Sequence, residues 1–353
     1  MAYQQVKTCR FFVNVLEWGM SNGLLEFDAD GAPMDDVFRT LPVNPKPISK
    51  INIAIPNTFP HRAGIFNDNT ADGSGAALFI LGHHARDAGA LRGLWGNPYS
   101  GDISVNWECN YDGWTMASIN QDFNVNMQFG WVDKDDAEAG LSTIRTINTG
   151  SIIYSSYYTM PHSPDLNLSL SYDYSGVKEI TTRGGASLSN SFYSKPPMWG
   201  DLPAWELFSN IPTYAETSKA DAELARSGRR IWDLSFSYLD DGDVFGSNQS
   251  LSGGLENEGT VWGNNLGQGY DTDDVHSAED SYAGFFKYNI LSDDNFYSQV
   301  IHKTNGGQLP FIFQPNKDDN TNFAIAKFDK NSFSFQQTAP NLYSVKCRIK
   351  EVW

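Results

Sequence analysis

The last part of the chain, residues 292–353, joins a short helical pattern to alternating strand patterns, and this combination limits the folds open to the protein. Phe296, Val300 and Ile301 fall on one stripe at helical spacing, which predicts a helix over about 292–304 that lies on a sheet. Ser292 is placed to cap its first turn, and Gly306 to end it in the left-handed conformation. A helix with one apolar stripe is expected to pack on a sheet and not to stand free.

Three strand patterns follow this helix. They are LPFIFQP (309–315), FAIAKFD (323–329) and NLYSVKCRIKEVW (341–353). In the last pattern apolar and polar residues alternate, so one face is expected to be buried. The residues of that face are Tyr343, Val345, Cys347 and Ile349. Lys346, Arg348 and Lys350 on the other face indicate either a solvated edge strand or contact with acidic groups, and we favour the solvated edge.

Short strand patterns, separated by Gly, Asn, Asp and Pro, fill most of the remaining chain. They cover residues 9–18, 50–55, 76–81, 102–109, 124–132, 151–158, 166–174 and 230–239. A second helical pattern covers about 213–227, and strands and helices do not alternate, which excludes a doubly wound parallel sheet. The segment MPHSPD (160–165) indicates a domain boundary. We therefore predict a mostly β chain of two antiparallel β-sandwich domains, residues 1–165 and 166–353, the second with one short helix on its sheet and a long insertion loop at about 240–284.

The charge and composition of the chain exclude several classes of protein. With 353 residues and 14% aromatic residues the chain is globular, and its net charge of −17 without a run of cations argues against a nucleic acid partner. Solubility explains the acidity most simply, while binding of divalent ions or of a basic neighbour are the alternatives. No segment reaches the length of a membrane span. The three cysteines form no CxxC pair and are interpreted as buried thiols of a protein made in a reducing cytosol.

Motifs for catalysis are missing from the sequence, which predicts that the protein is not an enzyme. There is no GxSxG, HExxH, GxxxxGK[ST] or GxGxxG pattern in a suitable context. Two acidic loops raise the question of structural calcium, although their spacing differs from that of an EF-hand. The candidate ligands are Asp240, Asp241, Asp243, Asp271, Asp273 and Asp274. Solvated loop carboxylates are the favoured interpretation, so no cofactor is predicted.

Two tryptophans support a different hypothesis, a carbohydrate-binding module. Trp95 and Trp114 lie beside glycines and are candidates for stacking on sugar rings. A β-sandwich enzyme that degrades glycans is the third hypothesis, but none of the carboxylate pairs stands out in the sequence. Loss of glycan retention on substitution of either tryptophan would distinguish the carbohydrate-binding module from the other hypotheses.

The second half of the chain resembles the minor tail and distal-tail proteins of long-tailed bacteriophages. The resemblance is carried, in order, by KEITTRGGASLSNSFY, RRIWDLSFSYL, a helix that ends in NGG, LPFIFQP and a final closing strand, over residues 178–353. In the first half, RFFVNVLEW and FILGHHARDAGA resemble jelly-roll adaptor domains of phage virion proteins. The resemblance implies a tail-tube-like β-sandwich whose copies form a ring at the tail tip.

This resemblance also implies partners and interface residues. The partners would be other tail proteins and copies of this chain, in a virion assembled in the host cytoplasm, with a host surface glycan as a further candidate. Phe311 and Phe313 of the Pro-Phe segment become candidates for ring contacts. Trp199 and Trp205 lie in the Pro-rich segment KPPMWGDLPAWELF, which has little core of its own, so they are candidates for interface anchors or for caps of the sandwich.

Overall fold

The computed structural model describes residues 6–23, 26–29, 35–41, 46–48, 50–54, 75–81, 91–96, 103–108, 114–119, 126–133, 144–174, 179–189, 228–245, 294–329 and 333–352. At some of these positions, residues 91–96 and 103–108 among them, the backbone alone is described. The helix predicted at about 213–227 and most of the predicted insertion loop lie outside these residues.

Strands dominate the described part of the chain, as predicted. The strands are β1 (Arg10–Asn14), β2 (Glu26–Ala29), β3 (Lys46–Ile48), β4 (Lys50–Ala54), β5 (Gly75–Leu81), β6 (Leu91–Gly96), β7 (Ile103–Glu108), β8 (Trp114–Ile119), β9 (Asn126–Asp133), β10 (Ile144–Arg145), β11 (Ile147–Thr149), β12 (Ser151–Thr159), β13 (Ser169–Asp173), β14 (Glu179–Thr181), β15 (Ser187–Ser189), β16 (Arg229–Asp240), β17 (Phe311–Gln314), β18 (Ala324–Phe328), β19 (Phe335–Ala339) and β20 (Leu342–Glu351). The helical segments are α1 (Val15–Ser21), a 3-10 turn (Asp35–Phe38), α2 (Asp241–Val244), a π-helical turn (Tyr297–Ile301) and a second 3-10 turn (His302–Thr304). Among the described residues no helix has the length and apolar character needed to cross a bilayer.

One large antiparallel sheet contains strands from both ends of the chain. In the described residues its order is β13-β16-β20-β18-β17-β1-β12-β5-β8, and β19 also pairs with β20. Strand β1 lies between β17 and β12, with Phe11 opposite both Phe313 and Tyr158. The predicted division after residue 165 is therefore wrong as a division between two sheets, because the first strand completes the sheet of the last ones. A second sheet has the order β2-β4-β9-β6-β7, with β10 paired to β9.

The closing strand β20 has the predicted alternation, but it is not an edge strand. Tyr343, Val345, Cys347 and Ile349 are buried, whereas Lys346 and Arg348 are exposed. It pairs with β16 on one side and with β18 and β19 on the other. Two of its cations contact acidic groups of the same chain, since Arg348 Nε lies 3.4 Å from Asp329 Oδ2 and Lys350 Nζ lies 2.7 Å from Asp173 Oδ2. The favoured prediction of a solvated edge was wrong, and the alternative of an acidic partner is confirmed.

The strand predicted at residues 9–18 ends halfway, at Asn14. The Asn14 side-chain oxygen accepts hydrogen bonds from the backbone N–H groups of Leu16 (3.1 Å) and Glu17 (3.3 Å), which starts helix α1. Its amide nitrogen donates to the carbonyl of Phe38 at 2.8 Å and to Thr40 Oγ1 at 3.1 Å. The buried Asn14 side chain thus caps helix α1 where strand β1 ends, and it also bonds to the end of the 3-10 turn that follows.

The predicted C-terminal helix is present as the π-helical turn followed by a 3-10 turn. Phe296, Val300 and Ile301 are buried, as their spacing predicted. The helix ends in left-handed residues at Asn305 (φ 51°), Gly306 (φ 68°) and Gly307 (φ 82°), and the Gly306 N–H donates to the carbonyl of Ile301 at 2.9 Å. The widened turn differs from the predicted regular helix, and π-helical turns of this kind often mark sites of special packing or function.

Apolar clusters cover both faces of the large sheet. On one face, the residues beneath the π-helical turn include Phe11, Phe296 and Phe313. On the other face, a smaller cluster contains Phe12, Phe79 and Ile312. Because successive residues of a strand point to opposite faces, the neighbours Phe11 and Phe12 belong to different clusters.

The two phenylalanines predicted to make ring contacts belong to this core. Phe311 is 0% and Phe313 is 1% exposed, and the Phe313 ring lies 5.4 Å from Phe11 and 5.3 Å from Trp232. The structure therefore corrects their predicted interface role to a core role, because both rings are covered by aromatic neighbours of the same chain.

Candidate functional site

An apolar surface lies on β13, the strand at one end of the large sheet. Leu170 and Tyr172 lie two residues apart in this strand, and Tyr174 follows directly after it. Their side chains are 47%, 52% and 49% exposed. We call these three residues the β13 surface. Leu166, just before the strand, is 82% exposed. Leucine and tyrosine side chains spaced by two residues present one continuous face of a strand.

The β13 surface continues the buried face of the sheet outward. Leu170 lies opposite Trp232 of β16, and Trp232 lies opposite Ile349 of β20. Trp232 and Ile349 are buried in the core, whereas Leu170 is half-exposed. The core face of the sheet is therefore only about half covered where it reaches β13.

Strand β13 is held in place by polar contacts, and it lacks three of the features that commonly protect an edge. Lys350 Nζ donates to Asp173 Oδ2 at 2.7 Å, and Asp165 Oδ2 accepts from Ser235 Oγ at 2.6 Å. Within the described residues, β13 pairs with β16 alone, and it contains no lysine, proline or bulge. Natural edge strands commonly use such features to prevent pairing with other chains. Within the part of the chain that the structure describes, the outer side of β13 is therefore ordered and pairs with no further strand.

The last residue of the β13 surface is positioned by a glycine. Gly228, directly before β16, has φ +76°, and a Cβ at this position would lie 2.9 Å from Tyr174 Cε2. Only glycine accommodates both the left-handed backbone and the close approach of the tyrosine ring.

The β14–β15 hairpin is a second exposed apolar element. Ile180 and Leu188 lie opposite each other and are 67% and 41% exposed. The turn is closed by a hydrogen bond from the Thr182 N–H to the Ala186 carbonyl at 2.8 Å, and Gly185 adopts φ +81° there. In the described residues this hairpin forms a sheet of its own, so its apolar pair has no core beneath it.

Titratable groups with shifted pKa values gather at the π-helical turn, but they are enclosed. Lys303 is 2% exposed, its Nζ donates to Gln299 Oε1 at 2.7 Å, and burial lowers its pKa to about 8, while Asp294 acts in the opposite direction. Burial, with a smaller contribution from Asp243 and Asp294, raises the pKa of Tyr158, whose hydroxyl donates to the Asp243 carbonyl at 2.8 Å. A lysine buried this completely is suited to holding the fold and not to meeting a ligand.

The predicted calcium ligands fall into two groups. Asp240, Asp241 and Asp243 lie where β16 passes into α2, and the Asp243 carboxylate accepts a hydrogen bond from the Asp240 N–H at 3.2 Å. Burial raises the pKa of Asp243. The described residues contain no group of three or more metal-ligating side chains. The other candidate ligands, Asp271, Asp273 and Asp274, lie outside the described residues.

The four predicted tryptophan sites fall in or beside the less described parts of the chain. Trp199 and Trp205 lie outside the described residues. Trp95 pairs through its backbone with Val105 in β7, and Trp114 with Leu81 in β5, and at both positions the backbone alone is described.

The β13 surface was missed at the level of sequence. The relevant sequence pattern is the alternation of leucine and tyrosine with polar residues in LNLSLSYDY. This alternation predicts a strand, but it does not distinguish an exposed apolar face from a buried one.

Comparison with known proteins yields no relative. Neither protein-family models, nor curated proteins, nor solved structures match the chain.

Proposed function

We propose that this chain is a structural protein of a bacteriophage virion, a tail or tail-tip ring subunit that works through protein–protein contacts. The observation that carries the proposal is the β13 surface, which lies on the last strand of the large sheet in the described residues and presents one leucine and two tyrosines that are about half exposed. The resemblance of residues 178–353 to phage tail proteins supports the virion assignment.

The chemistry of the β13 surface suits a protein partner. Tyrosine is enriched in protein interfaces because its ring adds apolar area while its hydroxyl still bonds to water or to a polar neighbour. Leu170 and Tyr172 continue the face that is buried elsewhere in the sheet, so a partner placed there would extend the core across the contact. The backbone groups along the outer side of β13 are suited to strand addition.

In the described residues, the two ends of the large sheet are different strands, β13 and β8. A contact between unlike surfaces of identical copies can repeat, and it closes into a ring when the rotation between copies allows. A ring subunit needs such a heterologous contact, which is the arrangement implied by the resemblance.

Electron microscopy and light scattering of the purified protein test the proposal. We expect annular or larger assemblies for the wild type and monomers for Leu170→Asn combined with Tyr172→Asn. The matched control is Ser169→Asn combined with Ser171→Asn, which changes the exposed opposite face of the same strand and should assemble as the wild type does.

Two outcomes would contradict the proposal. A wild-type protein that remains monomeric at the highest soluble concentration would remove the basis for a ring. A monomer retained on a glycan column would favour the carbohydrate-binding module instead.

A further inference from the structure

The sequence contains two Asn–Gly dipeptides, Asn22–Gly23 and Asn305–Gly306, and the fold brings them together. Asn22 caps the end of α1, and Asn305 caps the end of the second 3-10 turn. Asn22 Nδ2 donates a hydrogen bond to Asn305 Oδ1 at 3.2 Å, although the two residues lie 283 positions apart in the chain. Both asparagines are exposed, so water reaches them. Two segments that share a reactive dipeptide thus meet at one point of the surface.

An Asn–Gly dipeptide carries the chemistry for its own deamidation. The backbone nitrogen of the glycine attacks Cγ of the asparagine, the new C–N bond closes a succinimide ring, and the side-chain nitrogen leaves as ammonia. Water then opens the ring to give aspartate or isoaspartate, so one amide and one water become one carboxylate and one ammonium ion. Glycine favours this reaction because it has no Cβ to hinder the approach of its nitrogen.

We propose that Asn305 is a deamidation site held back by its contact with Asn22, so that loss of the Asn22 amide opens Asn305 to the same reaction. The reaction takes place within one copy of the chain and uses water as its co-reactant. Each conversion adds one negative charge where the ends of the two helical segments meet.

The amide of Asn305 is held at both of its polar atoms. Its Oδ1 accepts from Asn22 Nδ2, and its Nδ2 donates to Ser21 Oγ at 2.9 Å. The attacking group is also engaged, since the Gly306 N–H donates to the Ile301 carbonyl at 2.9 Å. Ring closure requires the Asn305 side chain to turn and the Gly306 nitrogen to leave its carbonyl, so these hydrogen bonds must open first. The contact therefore slows the reaction in the folded protein.

The coupling between the two asparagines has a direction. Asn22 donates through its amide nitrogen, which also donates to the Trp18 carbonyl at 2.8 Å, and deamidation removes this nitrogen. The carboxylate that replaces it donates no hydrogen bond and would face two acceptors. Asn305 accepts through its oxygen, and a carboxylate at that position accepts more strongly than an amide. Conversion of Asn22 should release Asn305, whereas conversion of Asn305 should leave Asn22 held.

Peptide mapping by mass spectrometry, on full-length folded protein incubated at mildly alkaline pH, tests the proposal. We expect Asn305 to deamidate about fivefold faster or more in Asn22→Ala and in Asn22→Asp than in the wild type, since one lost hydrogen bond has an effect of about that size. Asn305→Asp should leave the rate at Asn22 unchanged. Gly306→Ala added to Asn22→Ala should abolish the gain at Asn305, because the added Cβ fits into open space but hinders the attack.

Arg230→Met separates loss of this contact from a general loss of stability. It removes the ion pair with Glu351 and leaves both asparagines in place, so Asn305 should deamidate at the wild-type rate. An unchanged rate at Asn305 in Asn22→Ala would overturn the proposal. An equal acceleration in Arg230→Met would also overturn it, because the rate would then follow unfolding of the whole chain. Acceleration at Asn22 by Asn305→Asp would refute the direction of the coupling.

Discussion

Glu351, at the end of β20, holds Arg230, near the start of β16, in a partly buried ion pair. Arg230 Nη2 donates to Glu351 Oε1 at 2.8 Å, Nε donates to Oε2 at 3.1 Å, and the Arg230 backbone N–H donates to Oε2 at 2.9 Å. The guanidinium also donates to the Phe323 carbonyl at 2.9 Å and lies 5.0 Å from the ring centroid of Trp232. This pair joins β16 and β20 to the residue just before β18, close to the β13 surface, since Arg230 lies opposite Tyr172.

Removing the charge of Arg230 is expected to destabilise the protein strongly. Arg230→Met keeps the stem over Trp232 but leaves the carboxylate of Glu351, which is 2% exposed, without its cation. We expect the free energy of unfolding, measured with urea, to fall by about 3 kcal/mol. Arg348→Met is the control, since its ion pairs are nearly half-exposed and should contribute less than about 1 kcal/mol. Equal losses in the two variants would show that burial does not strengthen the Arg230 pair.

Two neighbouring glycines at the end of the C-terminal helix should respond differently to alanine. Gly306 (φ 68°) has open space where a Cβ would be added, so Gly306→Ala should cost only about 1 kcal/mol for the left-handed backbone. At Gly307 (φ 82°) a Cβ would lie 3.2 Å from both Phe328 Cβ and Phe333 Cζ. Gly307→Ala should therefore cost about 2 kcal/mol or more, because the backbone strain is joined by overpacking. Thermal unfolding of both variants checks the order, and it would be contradicted if Gly306→Ala were the less stable.

Asn14 is expected to contribute more than an ordinary helix cap. Asn14→Ala removes two hydrogen bonds to the start of α1 and two to the segment around the end of the first 3-10 turn. Because these groups are buried, the free energy of unfolding should fall by about 2–3 kcal/mol. Asn22→Ala, at the exposed end of the same helix, is the matched control and should cost less than about 1 kcal/mol. A loss at Asn14 no greater than that at Asn22 would mean that the cap does not organise this region.

Local patterns predicted the strands well because strand formation depends on neighbouring residues. The pairing of distant strands depends on residues far apart in the sequence, so local patterns do not predict it. The alternation of β20 fixed its buried face, but nothing near Arg10 in the sequence announces that β1 pairs with β17. Phe311 and Phe313 were assigned to an interface because a ring buried within a chain and a ring buried between chains look the same in sequence. The β13 surface shows the reverse case, in which an alternating pattern left Leu170 half-exposed. In both cases the deciding quantity is which layer covers a face, and that quantity is set by tertiary contacts.

The buried amine of Lys303 should make stability depend on pH. Its pKa is lowered from 10.5 to about 8 in the folded protein, so between these values the unfolded chain binds a proton that the folded chain does not. The free energy of unfolding contributed by this residue must therefore rise with pH from about 8 to about 10.5, by about 3 kcal/mol in total.

Other buried groups act in the opposite direction over part of the same range, so a comparison with Lys303→Met is needed. Burial raises the pKa of Cys347 to about 12 and also raises those of Cys9 and Tyr158, so their contributions to stability are lost as pH rises above the values at which they ionise in the unfolded chain. These contributions are shared by wild type and variant and cancel in the difference. Urea unfolding of both proteins between pH 7 and pH 10.5 should show the wild type gaining on Lys303→Met as pH rises. A difference that stays constant would mean that Lys303 keeps its ordinary pKa, and hence that its contact with Gln299 is open to water.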